Sequence, residues 1–200
     1  MTAESLIIEI TSRCGEGYEN YSDRAKAMFN AAVRELISNP SAKQEALTGL
    51  ISTGEYTFLA DSPSVLVSDI LAAAGCGVGI IRYMDYTSPD DGEGYINAVL
   101  EQVEQHQERA MQLCSNLAYS VDTVLLYRYE RNLSDASDGM ITLLGGLEFE
   151  ADGVIMFSVI GWSDTYLNTD INEMSTLFAP AILEVLIQQS VAKLRQEIAS

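Results

Sequence analysis

The sequence predicts an α+β protein with a mainly helical core, made of a helical hairpin, a long middle helix and a C-terminal helix, with a small antiparallel β-meander inserted in it. Two observations lead to this class. Apolar residues recur at helical spacing near both ends of the chain, and from Val121 the period changes to the alternation of strands. At 200 residues and 48% hydrophobic content, the chain can bury a sizeable core. We therefore expect a single domain over residues 1–200, with a β-hairpin-rich insertion at 120–165 and a C-terminal helix or arm at 171–200.

The first two predicted elements form the helical hairpin. A helix over about residues 5–14 turns its apolar side chains inward and stops at Gly15. A second helix follows, for which Ser22 or Asp23 can cap the free backbone amides, and it ends before Pro40. The one-sided apolar stripe of this second helix is Ala25, Met28, Phe29, Ala32, Val33, Leu36 and Ile37.

The middle of the chain is less regular. Residues 47–58 suit either a short strand or an extended arm, and residues 64–86 are expected to be extended or strand-like on both sides of the glycine run at 75–79. After a solvated turn at 90–94, a long helix is expected over about residues 94–119. The apolar stripe that predicts this helix is Ile96, Val99, Leu100, Val103, Ala110, Leu113, Cys114 and Leu117.

The predicted meander contains four strand-like runs. These are Val124–Glu130, Met140–Leu144, Leu147–Glu150 and Val154–Ile160. Asp152 and Gly153 lie between the last two runs, and this dipeptide is a strong signal for a tight hairpin. We expect it to form an exposed tip with both residues at positive φ.

The last predicted helix, over residues 178–198, differs from the second because it is apolar almost all round at its start. A helix of this kind needs neighbours on two sides, so its apolar surface is the expected place of assembly. The candidate partner-binding residues are Ile182, Leu183, Leu186, Ile187, Val191 and Leu194.

The charge of the chain limits its partners. The net charge is −18 with only eleven Lys and Arg, which argues against nucleic-acid binding because affinity for nucleic acid comes mainly from phosphate neutralisation. Between Leu133 and Ala192 there is no Lys or Arg, so the C-terminal half is expected to carry a negative field. Basic protein partners are favoured, and no specific binding of DNA is expected.

Residues for catalysis are sparse, and we predict that the protein is not an enzyme and uses no metal or cofactor. The only histidine, His106, shares no helix face with Glu104 and Glu108. The glycines at 75, 77 and 79 are not followed by the long helix that a phosphate cradle requires. Cys14, Cys76 and Cys114 are widely spaced and are interpreted as reduced structural thiols.

The sequence also bears on location. No basic segment followed by an apolar run marks a secretory signal, so synthesis in the cytosol is expected. The most apolar stretch, residues 65–84, is interrupted by Asp69, Arg82 and three glycines, so no membrane span is expected.

The order of elements, together with the segments Tyr21–Ile37 and Phe178–Ile187, resembles the head-to-tail connector proteins of tailed bacteriophages, which are also called adaptor, head-completion or neck proteins. The resemblance covers about half of the chain. It implies a structural virion protein that is made in the host cytoplasm and forms a ring of about twelve copies in the neck of the particle. It also implies that the C-terminal helix docks on the portal protein and that loops and hairpins meet the tail or a further neck protein.

The alternative is a small acidic cytosolic chaperone that resembles those of type III secretion. Such proteins are α+β dimers whose exposed apolar patches hold an unfolded client. The asymmetric charge and the meander favour this alternative, whereas the chain length and the two leading helices favour the connector.

Overall fold

The computed structural model of this chain describes residues 1–15, 17–18, 20–39, 44–57, 64–89, 95–102, 124–131, 138–144, 153–168 and 173–199. They form a mixed fold of helices and strands, as the sequence predicts. Backbone contacts divide the chain into two compact units. The helical unit comprises Met1–Ser52, Cys76–Ile80 and Ile160–Ser200, and the sheet unit comprises Thr53–Gly75 and Ile81–Val159.

Helix α1 of the helical unit spans Ala3–Cys14, and the prediction for it is confirmed. The Thr2 hydroxyl accepts a hydrogen bond from the Ser5 backbone N–H at 3.2 Å, which satisfies one of the free amides of the first turn. Gly15 ends the helix with φ at 117°, a backbone conformation that residues with a side chain rarely adopt.

Helix α2 spans Ser22–Ser38, so this prediction is also confirmed, but the expected cap is wrong. Ser22 and Asp23 are the first two residues of the helix and so cannot be its cap. Tyr21 is the N-cap residue and makes no side-chain capping bond. Asp23 instead lies in the first turn, where its charge is favourable beside the positive end of the helix dipole.

The rest of the helical unit consists mainly of its C-terminal segment. Two short 3-10 helices, Gln44–Leu50 and Asp164–Leu167, and a one-turn helix α4 at Met174–Leu177 precede the long helix α5 at Pro180–Ala199. Helix α5 packs against both α1 and α2, which form a helical hairpin. The three helices enclose an apolar core around Leu6, Phe29 and Leu186, none of which is exposed.

The described residues contain seven strands, which lie wholly or mostly in the sheet unit. They are β1 Ile51–Thr57, β2 Ser64–Leu66, β3 Val78–Pro89, β4 Tyr95–Gln102, β5 Val124–Arg131, β6 Gly139–Leu144 and β7 Val154–Trp162, and the sheet order is β1-β7-β3-β4-β5-β6-β2. Strand β4 runs antiparallel to β3 and parallel to β5, and β6 runs antiparallel to both β5 and β2. Helix α3, Val67–Ala73, connects β2 to the turn before β3.

The sheet is curved, because its two edge strands are close in sequence. Only six residues separate Thr57 at the end of β1 from Ser64 at the start of β2. An extended chain of this length reaches about 25 Å, whereas the edges of a flat seven-stranded sheet are about 29 Å apart. Helix α3 lies between the two edge strands. It contacts β2 and β6, and a Cβ on Gly54 of β1 would lie 3.3 Å from the Ala73 carbonyl oxygen at the end of α3.

The expected middle helix is contradicted over its first residues. Residues 95–102 form strand β4, which is hydrogen-bonded to β3 on one side and to β5 on the other. Two neighbouring strands satisfy the backbone there, and this tertiary pairing overrides the helical spacing of the sequence. The rest of the predicted helix, residues 103–119, lies outside the described residues, as do the 90–94 turn and His106.

The meander prediction is correct for three strands and wrong for their arrangement. Strands β5 and β6 form an antiparallel pair, but β7 lies between β1 and β3 at the other side of the sheet. Gly153 is buried against the Tyr86 ring and is not among the glycines at positive φ, so it is not half of an exposed primed turn. Asp152 and the run at 147–150 lie outside the described residues.

The segment before the glycine run also differs from its prediction. We expected extended chain on both sides, and β3 confirms this after the run, but α3 occupies residues 67–73 before it. Gly75, with φ at 72°, makes the turn that follows this helix. The ambiguous segment at 47–58 contains strand β1, so its strand interpretation is confirmed for residues 51–57.

Candidate functional site

The candidate partner-binding residues lie on α5, where the structure buries them in the chain's own core. Leu183, Leu186, Ile187, Val191 and Leu194 are each at most 8% exposed, and Ile182 is half-buried against the same cluster. The predicted need for neighbours on two sides is met by α1 and α2. The apolar composition of the helix is therefore explained without a partner, and the partner-binding assignment of these residues does not follow from it.

Charged side chains border both packed sides of α5. Arg13 of α1 bonds to Glu184 and to Glu9, and Lys193 Nζ lies 2.6 Å from Glu35 Oε1 of α2. The hydrogen bond from Arg13, with a smaller one from Gln188, holds the pKa of Glu184 below its usual value. These ion pairs are solvent-exposed, so they fix the register of the helices more than they stabilise them.

Large apolar side chains remain exposed on two helices of the helical unit. Ile8 of α1 is 60% exposed and Val185 of α5 is 48% exposed. They lie on the faces opposite the core, and sequence spacing did not single out Ile8 because it falls outside the apolar stripe of α1. Ile8 and Val185 are the large apolar side chains of these two helices that a partner can reach.

The aromatic residues around Trp162 in the helical unit have a packing role. Trp162 is fully buried and stacks against Phe29, Phe178 and Tyr166 at ring-centroid distances of 5.1–6.1 Å. Its indole N–H donates to Asn30 Oδ1 at 2.9 Å, so the polar atom of the buried ring is satisfied.

Two of the three cysteines, Cys14 and Cys76, are described, and both are buried thiols. Burial raises the pKa of the Cys14 thiol and of the Cys76 thiol, so neither is a reactive thiolate. Cys76 lies against Gly161, where a Cβ would collide with its sulfur. These contacts agree with the structural role that the spacing of the cysteines predicts.

A second group of exposed apolar side chains lies on the face of the sheet that points away from the core of the sheet unit, called the outer face below. Tyr83 of β3 is 49% exposed and Met156 of β7 is 48% exposed. The Tyr83 hydroxyl donates a hydrogen bond to the Asp85 carboxylate, and this bond raises the pKa of Tyr83. On β5, Arg128 Nε lies 2.9 Å from Glu130 Oε1, so the outer face also carries a bound ion pair.

The two units differ in charge. The helical unit has 12 Asp and Glu against 7 Lys and Arg, a net charge of −5. The sheet unit has 17 against 4, a net charge of −13. The acidic residues from which the sequence predicts a negative C-terminal half are divided between the two units, and the larger negative charge of the sheet unit comes from residues of both halves of the chain.

The described residues bring together no constellation for catalysis. No group of three or more His, Cys, Asp and Glu in the described part of the chain is close enough to hold a metal ion. The glycine run follows α3 and precedes β3, the reverse of the order that presents a helix N-terminus to a phosphate. None of the described helices is both long enough and apolar enough to cross a membrane.

Comparison of the chain with models of known protein families gives no match, and comparison with curated proteins gives none either.

Proposed function

We propose that this chain is a ring-forming head-to-tail connector of a tailed bacteriophage, a structural virion protein of the neck that docks on the portal protein and joins the tail or a further neck protein. The observation that carries the proposal is the packing of α5 along both helices of the α1–α2 hairpin. The two ends of the chain thereby form one helical unit, and the residues between them form the sheet unit. The segments that resemble connector proteins, Tyr21–Ile37 and Phe178–Ile187, lie in that helical unit.

In this proposal the helical unit is the core of the subunit, and the sheet unit carries the contacts with the tail. Subunit contacts come from exposed side chains, because the apolar stripe of α5 is already covered by α1 and α2. Ile8 and Val185 are therefore assigned to the contacts that the helical unit makes with the next copy or with the portal. A head-to-tail contact repeated around an axis closes a ring of about a dozen copies.

Two measurements test the proposal. Gold-labelled antibody raised against the purified chain is expected to bind particles of the phage that encodes the chain, at the junction of head and tail and nowhere else. Native mass spectrometry of the purified chain is expected to give a monomer or a closed ring. Particles that contain none of this chain would overturn the proposal, and a constitutive dimer that captures unfolded client would indicate the secretion-chaperone alternative.

A variant pair tests the assigned contacts. Val185→Glu places a charge on the exposed face of α5 and is expected to prevent incorporation into particles, because an unpaired charge in an interface is costly. Ala27→Glu adds the same charge at an exposed position of α2, away from the tested contact, and is expected to be incorporated normally. Equal incorporation of both variants would exclude Val185 from the contact.

A further inference from the structure

The outer face of the sheet is identified by the alternation of burial along two neighbouring strands. On β7, Ile155 and Phe157 are buried, whereas Met156 between them is 48% exposed. On β3, Met84 is buried and the preceding residue, Tyr83, is 49% exposed. Since successive side chains of a strand point to opposite faces, Tyr83 and Met156 both lie on the face away from the core of the sheet unit.

This face also carries a carboxylate with spare capacity to accept hydrogen bonds. Asp85 is two residues after Tyr83 and therefore on the same face of β3. Its Oδ1 atom is buried and has no hydrogen-bond partner among the described residues. The buried Oδ1 atom is closed to a donor from outside, but Asp85 as a whole is only half-buried, so a partner approaches this carboxylate at its other oxygen.

The charge of the sheet unit indicates the chemistry of that partner. The unit has a net charge of −13, and on the described outer face the guanidinium of Arg128 is already bound to Glu130. An arginine of a partner suits the surface better than a lysine. Its planar guanidinium can stack on an exposed tyrosine ring while it donates a hydrogen bond to a neighbouring carboxylate.

We propose that the outer sheet surface formed by Tyr83, Asp85 and Met156 binds a basic, arginine-bearing segment of a partner protein. A guanidinium stacks on Tyr83 and bonds to the Asp85 carboxylate, and the methylenes of the arginine pack on Met156. This inference rests on the sheet unit alone and holds whether or not the chain forms rings.

The test uses the full chain and two peptide probes of equal charge, acetylated hexa-arginine amide and acetylated hexa-lysine amide. Isothermal titration calorimetry at low salt is expected to show tighter binding of the arginine peptide. Asp85→Asn is expected to weaken that binding about tenfold, which corresponds to about 1.4 kcal/mol. Tyr83→Leu is expected to remove the preference for arginine over lysine.

Asp69→Asn is the matched control, because it removes one exposed charge of the sheet unit from α3 and leaves the outer face unchanged. It is expected to weaken binding by less than about twofold, the effect of a distant and screened charge. A second readout is the methyl resonance of Met156, assigned with Met156→Leu, which is expected to shift on addition of the arginine peptide.

Three results would overturn the proposal. Equal weakening by Asp85→Asn and Asp69→Asn would show diffuse attraction to the acidic unit. An unshifted Met156 methyl in the presence of bound peptide would place the contact elsewhere. A concentration-dependent dimer of the free chain that Tyr83→Leu abolishes would show that a second copy covers this face.

Discussion

The secondary structure of the helical unit was predicted from its sequence more accurately than that of the sheet unit. In the helical unit the predicted bounds of α1, α2 and α5 agree with the structure to within a few residues. In the sheet unit β4 was predicted as a helix and α3 as extended chain. The contrast shows that a helix satisfies its own backbone, whereas a strand depends on neighbours that are distant in sequence.

The units also differ in how their surfaces are charged. Exposed ion pairs join the elements of the helical unit, with Arg13 on Glu184, Arg34 on Asp164 and Lys193 on Glu35. The sheet unit has a net charge of −13 and only four Lys and Arg. Lys and Arg of the helical unit therefore neutralise most of its negative charge, whereas most of the negative charge of the sheet unit is not neutralised by its own residues.

The largest expected effect tests whether α5 belongs to the core of the helical unit. Leu186→Asp places a charge at a position with no exposure, and we expect it to lower the free energy of unfolding by about 4 kcal/mol or more. Val185→Asp, one residue away and 48% exposed, is expected to cost less than about 1 kcal/mol. Urea unfolding followed by the fluorescence of Trp162, the only tryptophan, measures both. Similar midpoints for the two variants would remove α5 from the core.

The core of the sheet unit provides the next comparison. Ile141 of β6 is 1% exposed, so Ile141→Ala is expected to cost about 2–5 kcal/mol and Ile141→Val about 0.5–1.5 kcal/mol. Hydrogen exchange of the β5 and β6 amides measures the loss within the sheet unit. If the two variants exchanged like the unmodified chain, the described face of β6 would not be a core face.

A smaller effect is expected where two segments of the helical unit approach closely. A Cβ at Gly49 would lie 2.6 Å from the Thr176 carbonyl oxygen, and backbone cannot move aside as a side chain can. Gly49→Ala is expected to cost about 1–3 kcal/mol through overpacking. Gly77→Ala is the control, since its Cβ meets its nearest neighbour, the Trp162 carbonyl oxygen, at 3.9 Å. Equal thermal midpoints of the two variants would contradict the close approach of the 3-10 helix to α4.

The smallest effect concerns the exposed pair of Arg13 and Glu184. Because the pKa of Glu184 is lowered in the folded chain, the pair stabilises the fold above the ordinary carboxylate pKa, and this contribution is lost as the pH falls through the folded pKa. The stability difference between the unmodified chain and Glu184→Gln is therefore expected to be constant near neutral pH and to shrink below about pH 4.5.

Arg13→Gln and the double variant complete the cycle for this pair. Arg13→Gln is expected to reproduce the same pH profile, and 1 M salt is expected to reduce the coupling because exposed charges are screened. A difference that grows as the pH falls would show that Glu184 is not stabilised in its charged form.

The candidate site was partly predictable. The all-round apolar start of α5 indicated two packed sides, and that inference was correct, but composition does not show whether the second side belongs to the same chain. Leu186 lies in the intramolecular core because α1 and α2, from the opposite end of the sequence, pack on α5. The exposed pair Tyr83 and Met156 gave no sequence signal, since burial of their neighbours on β3 and β7 alone shows which face is outside.

The sequence by itself determined the helices at both ends, the strands at 124–131, 139–144 and 154–162, and the acidic charge, because each depends on local periodicity or on composition. Tertiary structure decided that residues 95–102 form a strand, that β7 lies between β1 and β3, and that the sheet curves with α3 between its edge strands. The physical reason is that strand pairing is chosen by hydrogen-bond partners far along the chain. Helical spacing such as that of Ile96, Val99 and Leu100 is overridden wherever two such partners are available.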